Sequence, residues 1–305
     1  MVRAGLLVCT ATLACCAHVP PATPPEAILA PHVEHTFGDP AVLATWRALD
    51  AAATQPSATL SAGESFAAAL NFNPQMALAR AQIEAGQAAV LTAKQRPNPV
   101  LALTPEHLIN AVAAGVSPWV VAISLVWPVR TAGKRALAID QALASSDANL
   151  LNAANVVWNL RAAVRGATCA VELASAKSVL AHEEWDLRID LAARLEKQAD
   201  AGVVSRYESA RARLDRDGAA QRFRMSAAEL NAARHDLAAV SGVPFAEIER
   251  RAIGQTCLAS QSLRSTEAQA AAAATAVAAR LDVRAKLAEF RAADAAWRTE
   301  IARRM

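Results

Sequence analysis

The sequence predicts a mainly α-helical protein built on one long antiparallel helical hairpin, with a short β-hairpin ahead of it. Three observations carry this prediction. The chain is 54% hydrophobic but only 4% aromatic, and alanine is the commonest of its apolar residues. Through about residues 131–240, apolar and small side chains recur at seven-residue steps. One stretch, 119–127, alternates with period two instead. Alanine has the highest helix propensity, and its methyl group lets helix axes approach closely. The composition therefore points to long, tightly packed helices rather than a broad leucine and phenylalanine core.

The first segment reads as an export signal. Arg3 is the only early charge, and Ala4 through Ala14 form an apolar run too short to span a bilayer. The run ends in Leu13-Ala14-Cys15-Cys16-Ala17, which resembles a bacterial lipobox, with Leu13 three residues before the acceptor Cys16. Residues 1–16 are then a lipoprotein-type signal, and a lipid on Cys16 would anchor the mature chain to a membrane. An ordinary cleaved signal is the alternative. Residues 17–60 form a proline-bearing linker and a modest helix near Ala41 to Ala53, broken by Gln55-Pro56-Ser57.

From Ser61 to Arg96 the pattern is helical. Ser61 with Glu64 fits a capping box. The Asn73-Pro74 pair interrupts the helix, after which Met76, Ile83 and Val90 recur, and Pro97-Asn98-Pro99 ends it. Strands are expected at about 99–104 and 119–128, with a loop over 105–118. In the second strand Trp119, Val121, Ile123, Leu125 and Trp127 make one bulky apolar face, while Val120, Ala122, Ser124 and Val126 make a smaller, partly polar one. The two tryptophans lie about 26 Å apart along an extended strand. That separation suits an aromatic girdle at the two edges of a lipid-facing band, with Trp119 and Trp127 as the girdle. A hairpin packed in a soluble core is the alternative.

A helix is expected from about 131 to 200. Leu143, Leu150, Val157, Val164 and Val171 recur every seven residues, and Ser146, Ala153, Leu160, Ala167 and Ala174 form the companion row. Ala201-Gly202-Val203-Val204-Ser205 breaks the run. A second helix covers about 204–240, with Phe223, Leu230 and Leu237 in register, until Ser241-Gly242-Val243-Pro244 stops it. Two long helices joined by a short loop pack antiparallel. The first arm approaches about 100 Å at ~1.5 Å per residue, so it must project from any compact body.

That pairing sets Cys169 level with the end of the second arm, and Cys257 lies in the segment that follows. In an oxidising compartment a Cys169–Cys257 bridge is chemically permitted, with two free thiols as the alternative. A last helix is expected over about 263–304. Within it, Ala288, Ala292, Ala295, Ala296 and Thr299 match Ala81, Ala85, Ala88, Ala89 and Thr92 of the earlier helix.

Nothing in the sequence assembles a catalytic site, a metal site or a cofactor cradle. His182-Glu183-Glu184-Trp185-Asp186 imitates a zinc-protease helix, but Asp186 stands where the second histidine belongs. His32 and His35 lack a thiol or carboxylate cluster to complete a site. Gly133-Lys134-Arg135 lacks the first glycine and the hydroxyl of a phosphate loop. The net charge of +3 is small, and the arginines are interspersed with acids, which argues against nucleic acid.

In this order the segments resemble the TolC-like outer-membrane factors, the outer-membrane efflux proteins. Asn73-Pro74 and Pro97-Asn98-Pro99 resemble that family's first helix and its entry into the first strand. Trp127-Pro128-Val129 and Thr131-Ala132-Gly133-Lys134-Arg135 resemble the return into the long helix in heavy-metal-efflux members. The stretch from Arg194 to Arg213 resembles the helix-turn-helix tip, and Leu281-Asp282-Val283-Arg284 resembles the start of a second repeat. The resemblance implies a homotrimer whose chains pool strands into one outer-membrane β-barrel and helices into a periplasmic α-barrel. It implies contact with outer-membrane lipid, and docking of a periplasmic adaptor protein, itself linked to an inner-membrane pump, at Ala201, Gly202, Val203, Val204, Ser205 and Arg206. Residues 61–262 would form the first repeat and 263–305 the start of a second. The family pattern continues into two more strands and a second hairpin, so the chain reads as C-terminally truncated. A periplasmic lipoprotein using its coiled-coil hairpin as a scaffold, and a non-functional truncated efflux protein, are the rival readings.

Overall fold

The computed structural model describes residues 34–50, 59–107, 119–254, 257 and 276–304. Residues 1–33 with the signal, Cys16 and His32, the segments 51–58 and 108–118, and residues 263–275 of the expected last helix lie outside the described residues.

Helix α1 (Pro40–Leu49) is shorter than its sequence suggested and is capped by Asp39, whose carboxylate accepts from Ala41 N at 2.8 Å. Strand β1 (Thr59–Leu60) leads into α2 (Ala62–Phe72), and α3 (Pro74–Lys94) follows after Asn73. Asn73 divides the two helices for a clear reason. Its side chain accepts from Gln75 N at 2.9 Å and donates to Val240 O at 2.9 Å, so it caps α3 while tying it to the far end of the hairpin. Pro74 then occupies the first helical position, where its missing N–H costs nothing.

Strands β2 (Val100–His107) and β3 (Trp119–Val126) pair antiparallel, with Leu101 opposite Leu125 and Leu103 opposite Ile123. β2 runs three residues past the expected 104, because pairing with β3 satisfies backbone groups through His107. Trp127 lies one residue beyond β3 rather than inside it. The chain returns through Ala132 and Gly133, both left-handed, into α4 (Lys134–Asp200). After the turn, α5 (Arg206–Ser241) runs back along α4. The short α6 (Phe245–Glu249) and β4 (Ala252–Ile253) follow, and β4 pairs parallel with β1. The last described helix, α7 (Leu281–Arg303), begins after a break in the expected one, since residues 276–279 are helical and Arg280 is extended, at φ −63° and ψ 126°.

α4 is the axis of the fold: α3 and α7 pack along its first half and α5 along its second. The main core lies at the middle, where Phe37, Val42, Leu60, Val171, Leu237, Val243 and Ile248 are buried together. A second cluster joins Phe66, Ala69 and Met76 to Leu160 and Val164. The heptad row on α4 therefore divides: Val171 is buried in the main core and Val164 in the second cluster, but Leu143 and Leu150 are exposed. The reason is packing partner. Near 143–150, α4 buries small residues such as Ala148, while Leu143 and Leu150 stay exposed along the groove beside α7.

The capping box expected at Ser61 is only half formed. Ser61 Oγ accepts from Glu64 N at 3.1 Å, but the Glu64 carboxylate turns inward to Arg251, with bonds of 2.6 and 3.0 Å. Glu64 is fully buried, and a buried charge demands a charged partner more strongly than a helix terminus demands a second cap. Gly242 closes α5 at φ +73°, and a Cβ there would sit 2.9 Å from the backbone of Phe72. His35 completes this joint. Its Nδ1 lies 3.0 Å from Gly242 O, and its ring stacks on Phe72 at 3.9 Å.

Candidate lipid-facing strands and helical tip

The β-hairpin has two unlike faces. Pairing sets Leu101, Leu103 and Pro105 across from Leu125, Ile123 and Val121, so the apolar face read from one strand continues across both. The other face is smaller and partly polar, with Ala102, Thr104, Glu106, Ala122 and Ser124 among Val100, Val120 and Val126. Every residue of both strands is exposed, with Ile123 at 71% and Leu103 at 65%. Trp119, at one end of the apolar face, meets the His107 ring edge-on at 4.8 Å. Trp127, at the other end, is 70% exposed. An isolated two-stranded ribbon of this length, with an apolar face and open edges, is marginal in water.

At the opposite end of the molecule the α4–α5 turn is tightly built. Val203 N donates back to Gln198 O at 2.8 Å and Gly202 N to Ala199 O at 3.0 Å, closing the C-terminus of α4. Gly202 takes φ +73°, a conformation that other residues adopt only with strain. Ser205 and Glu208 then form a complete capping box, Ser205 N to Glu208 Oε2 at 2.9 Å and Glu208 N to Ser205 Oγ at 3.2 Å. The sequence carries the same Ser-x-x-Glu signal at Ser205 as at Ser61, and only the one at Ser205 closes into a full box. Arg206 is the first residue of α5 rather than part of the turn. The result is a rigid tip that displays Val203 and Tyr207, 72 and 73% exposed.

Between tip and core the arms are held by packed rings and ion pairs. Phe223 stacks on Trp185 at 5.5 Å, with His182 against its edge at 4.8 Å. His182 also pairs with Asp186 at 2.9 Å, and Glu184 is engaged by Arg222 at 2.6 Å, so the pseudo-zinc motif is absorbed into arm packing. The Arg222 hydrogen bond holds the Glu184 carboxyl below its ordinary value of 4.5. A carboxyl depressed in the folded state stabilises fully above its unfolded value and loses that contribution as pH falls through the folded one. Thermal unfolding should therefore show the arms loosening below about pH 4.5, and Arg222→Gln should flatten that acid limb.

Cys169 on α4 and Cys257 beyond β4 are joined by a disulfide, their Cα atoms 5.5 Å apart. Beside it, Cys257 N donates to Glu172 Oε2 at 3.0 Å. Among the described residues there is no group of three or more His, Cys, Asp or Glu placed to hold a metal ion, and no helix long and apolar enough to cross a membrane.

The sequence profile of the outer membrane efflux protein family matches residues 66–243, from the first core helix through the whole hairpin. The chain belongs to the outer membrane efflux protein family. Solved structures agree on the efflux-protein fold. The outer membrane protein VceC from Vibrio cholerae superposes with a TM-score of 0.63 at 15% identity, covering 77% of this chain and 57% of that one. The outer-membrane channel OprN gives 0.64 at 16% identity, over 92% of this chain and 63% of OprN. CusC, described for its transmembrane channel formation, gives 0.56 at 15% identity, over 82% and 56%. This efflux-family chain thus spans between 56 and 63% of the length of these three structures. No curated protein matches it in sequence.

Proposed function

We propose that the chain is an outer-membrane channel subunit of a tripartite efflux system, a passive export duct rather than an enzyme. The observation that carries this is the β-hairpin, whose continuous apolar face and unpaired edges stand at the end opposite the helical tip. Open strand edges are intolerable in lipid, so such a hairpin must pool strands with others into a closed barrel. In this reading Trp119 and Trp127 mark the two interfaces of the wall, and lipid on Cys16 tethers the N-terminus to the same membrane. Three copies share the barrel, and the α4–α5 arms extend into the periplasm. The tip, residues 201–206, docks the periplasmic adaptor, which connects to the inner-membrane pump. Residues 61–262 act as the first repeat and 263–305 open the second.

Two measurements test this. Ile123→Arg places a charge at the centre of the proposed lipid face and should cost about 2–4 kcal/mol of stability in vesicles. In a water-facing hairpin it would be near neutral, and that outcome would retire the barrel assignment. For docking, a photo-crosslinker at Val203 should form adducts with a co-expressed adaptor, while one at Leu173, nearer the core, should not. Equal labelling at both positions would remove the tip from the interface.

A further inference from the structure

The charges of the helical hairpin change character toward its tip. Along the middle of the arms the cations are held: Lys177 by Glu229, Arg188 by Glu184 and Asp215, Arg222 by Glu184, and Arg216 by Asp217. The last such link joins Glu196 to Arg213, at 3.9 Å. From that level to the turn the pairing stops. Arg194, Lys197, Arg206 and Arg211 are exposed and have no carboxylate partner among the described residues. The acids left in this stretch are Asp200 and Glu208, and Glu208 is engaged in the capping box with Ser205.

These cations surround the turn on both sides. Ala192 of α4 and Ser209 and Ala212 of α5 are buried. Arg194 and Lys197 lie about 200° and about 140° round α4 from Ala192, on its outer side. Tyr207, Arg211 and Leu214 share a stripe at i, i+4 and i+7 on the outer side of α5, with Leu214 72% exposed. The fold itself does not call for this collar. Arg206 is the first residue of α5, where the positive end of the helix dipole disfavours a cation. Exposed apolar anchors ringed by unpaired arginines, on a turn already fixed by its own hydrogen bonds, suit a binding surface with little ordering left to do.

From this we infer that the protein surface docking on the tip is acidic, its carboxylates closing on Arg194, Lys197, Arg206 and Arg211 around an apolar contact with Val203 and Tyr207. The inference rests on the adaptor docking proposed above and adds its sign. A second copy of this chain is a poor occupant, because it would bring the same excess of cations against this one. Opposite charges at the rim of a contact speed encounter and make association fall with salt, whereas the apolar centre does neither. An adaptor whose docking end is basic would be repelled by the collar instead, so the sign selects among adaptors that share one helical shape.

The test uses the full chain in isolated membranes, with the photo-crosslinker at Val203 and the co-expressed adaptor. Arg194→Glu, Lys197→Glu and Arg211→Glu together should lower the yield of adducts by about tenfold or more. Raising NaCl from about 0.05 to about 0.5 M should lower it comparably in the unmodified chain and little in the triple variant. Changing the carboxylates of the adaptor's docking end to lysine should restore adducts with the triple variant. The three positions are exposed and unpaired, so circular dichroism should show unchanged helix content. Adducts that survive both charge reversal and salt would retire the acidic partner and leave docking at the tip in place. No adducts at Val203 under any condition would retire docking and this inference with it. Adducts joining only copies of this chain would overturn it by making a second copy the occupant. So would unchanged adducts together with a loss, in the triple variant, of binding to phosphatidylglycerol vesicles, which would make lipid the counter-charge.

Discussion

Replacing Arg251 with methionine should destabilise the folded chain by about 3–5 kcal/mol, measured as a fall in urea midpoint without change in slope. Glu64 is fully exchanged from water to protein, and both of its carboxylate oxygens are bonded by the Arg251 guanidinium at 2.6 and 3.0 Å. Removing the cation leaves a desolvated anion behind, which is the costly case. Glu64→Gln together with Arg251→Met should recover much of the loss, because a neutral amide in the same place needs only hydrogen bonds. Arg251 also lies over the Phe37 ring at 5.2 Å, so Arg251→Lys should not rescue fully: an ammonium lacks both the fork and the flat face. The pair joins the start of α2 to the residues after α6, 187 positions apart, and closes the mid-level core from the outside.

The second large effect is expected at the cystine. Cys169→Ser should destabilise by about 4–5 kcal/mol on the chain-entropy account, since the bridge closes 88 residues that include the outer part of α4 and all of α5. Cys257→Ser should match it, and the double variant should be no worse than either single one. Intact mass with and without reductant after alkylation gives the linkage directly, and unfolding of the two forms gives its contribution. A loss confined to the reduced form, with no change in the secondary structure of the arms, would place the effect in the unfolded chain, as the loop argument requires.

Much of the fold could be read along the chain because it is written in local signals. The helix breaks at Asn73, at 201–205 and at Gly242 fall where proline, glycine and capping residues stand, and the period-two stretch at 119–126 is a strand. Seven-residue spacing reveals the hairpin, because α5 packs along α4 for most of its length. What could not be read is set by distant neighbours. Leu143 and Leu150 satisfy the heptad but stay exposed, since spacing defines a stripe and not which helix covers it. Ser61 and Glu64 satisfy the capping pattern, yet Glu64 answers to Arg251 far along the chain. The partnership of Leu101 and Leu103 with Leu125 and Ile123 needed the register, which a loop of unread geometry between the strands conceals. The cross-strand extension of the apolar face, the strongest feature of the proposed membrane site, was therefore only half visible.

The disulfide at Cys169, the Asn73 and His35 joints around Gly242 and the Glu64–Arg251 pair all grip the hairpin near one level. Beyond that level the two arms run on to Asp200 held to each other, about 45 Å further at ~1.5 Å per residue. Mechanically the hairpin is a cantilever clamped at its root. A tilt of five degrees at the clamp would swing the free end sideways by roughly 4 Å, more than the reach of a hydrogen bond. The aim of the free end is thus decided by residues nowhere near it, and an alteration at the clamp can spoil an engagement whose own contact surface is untouched.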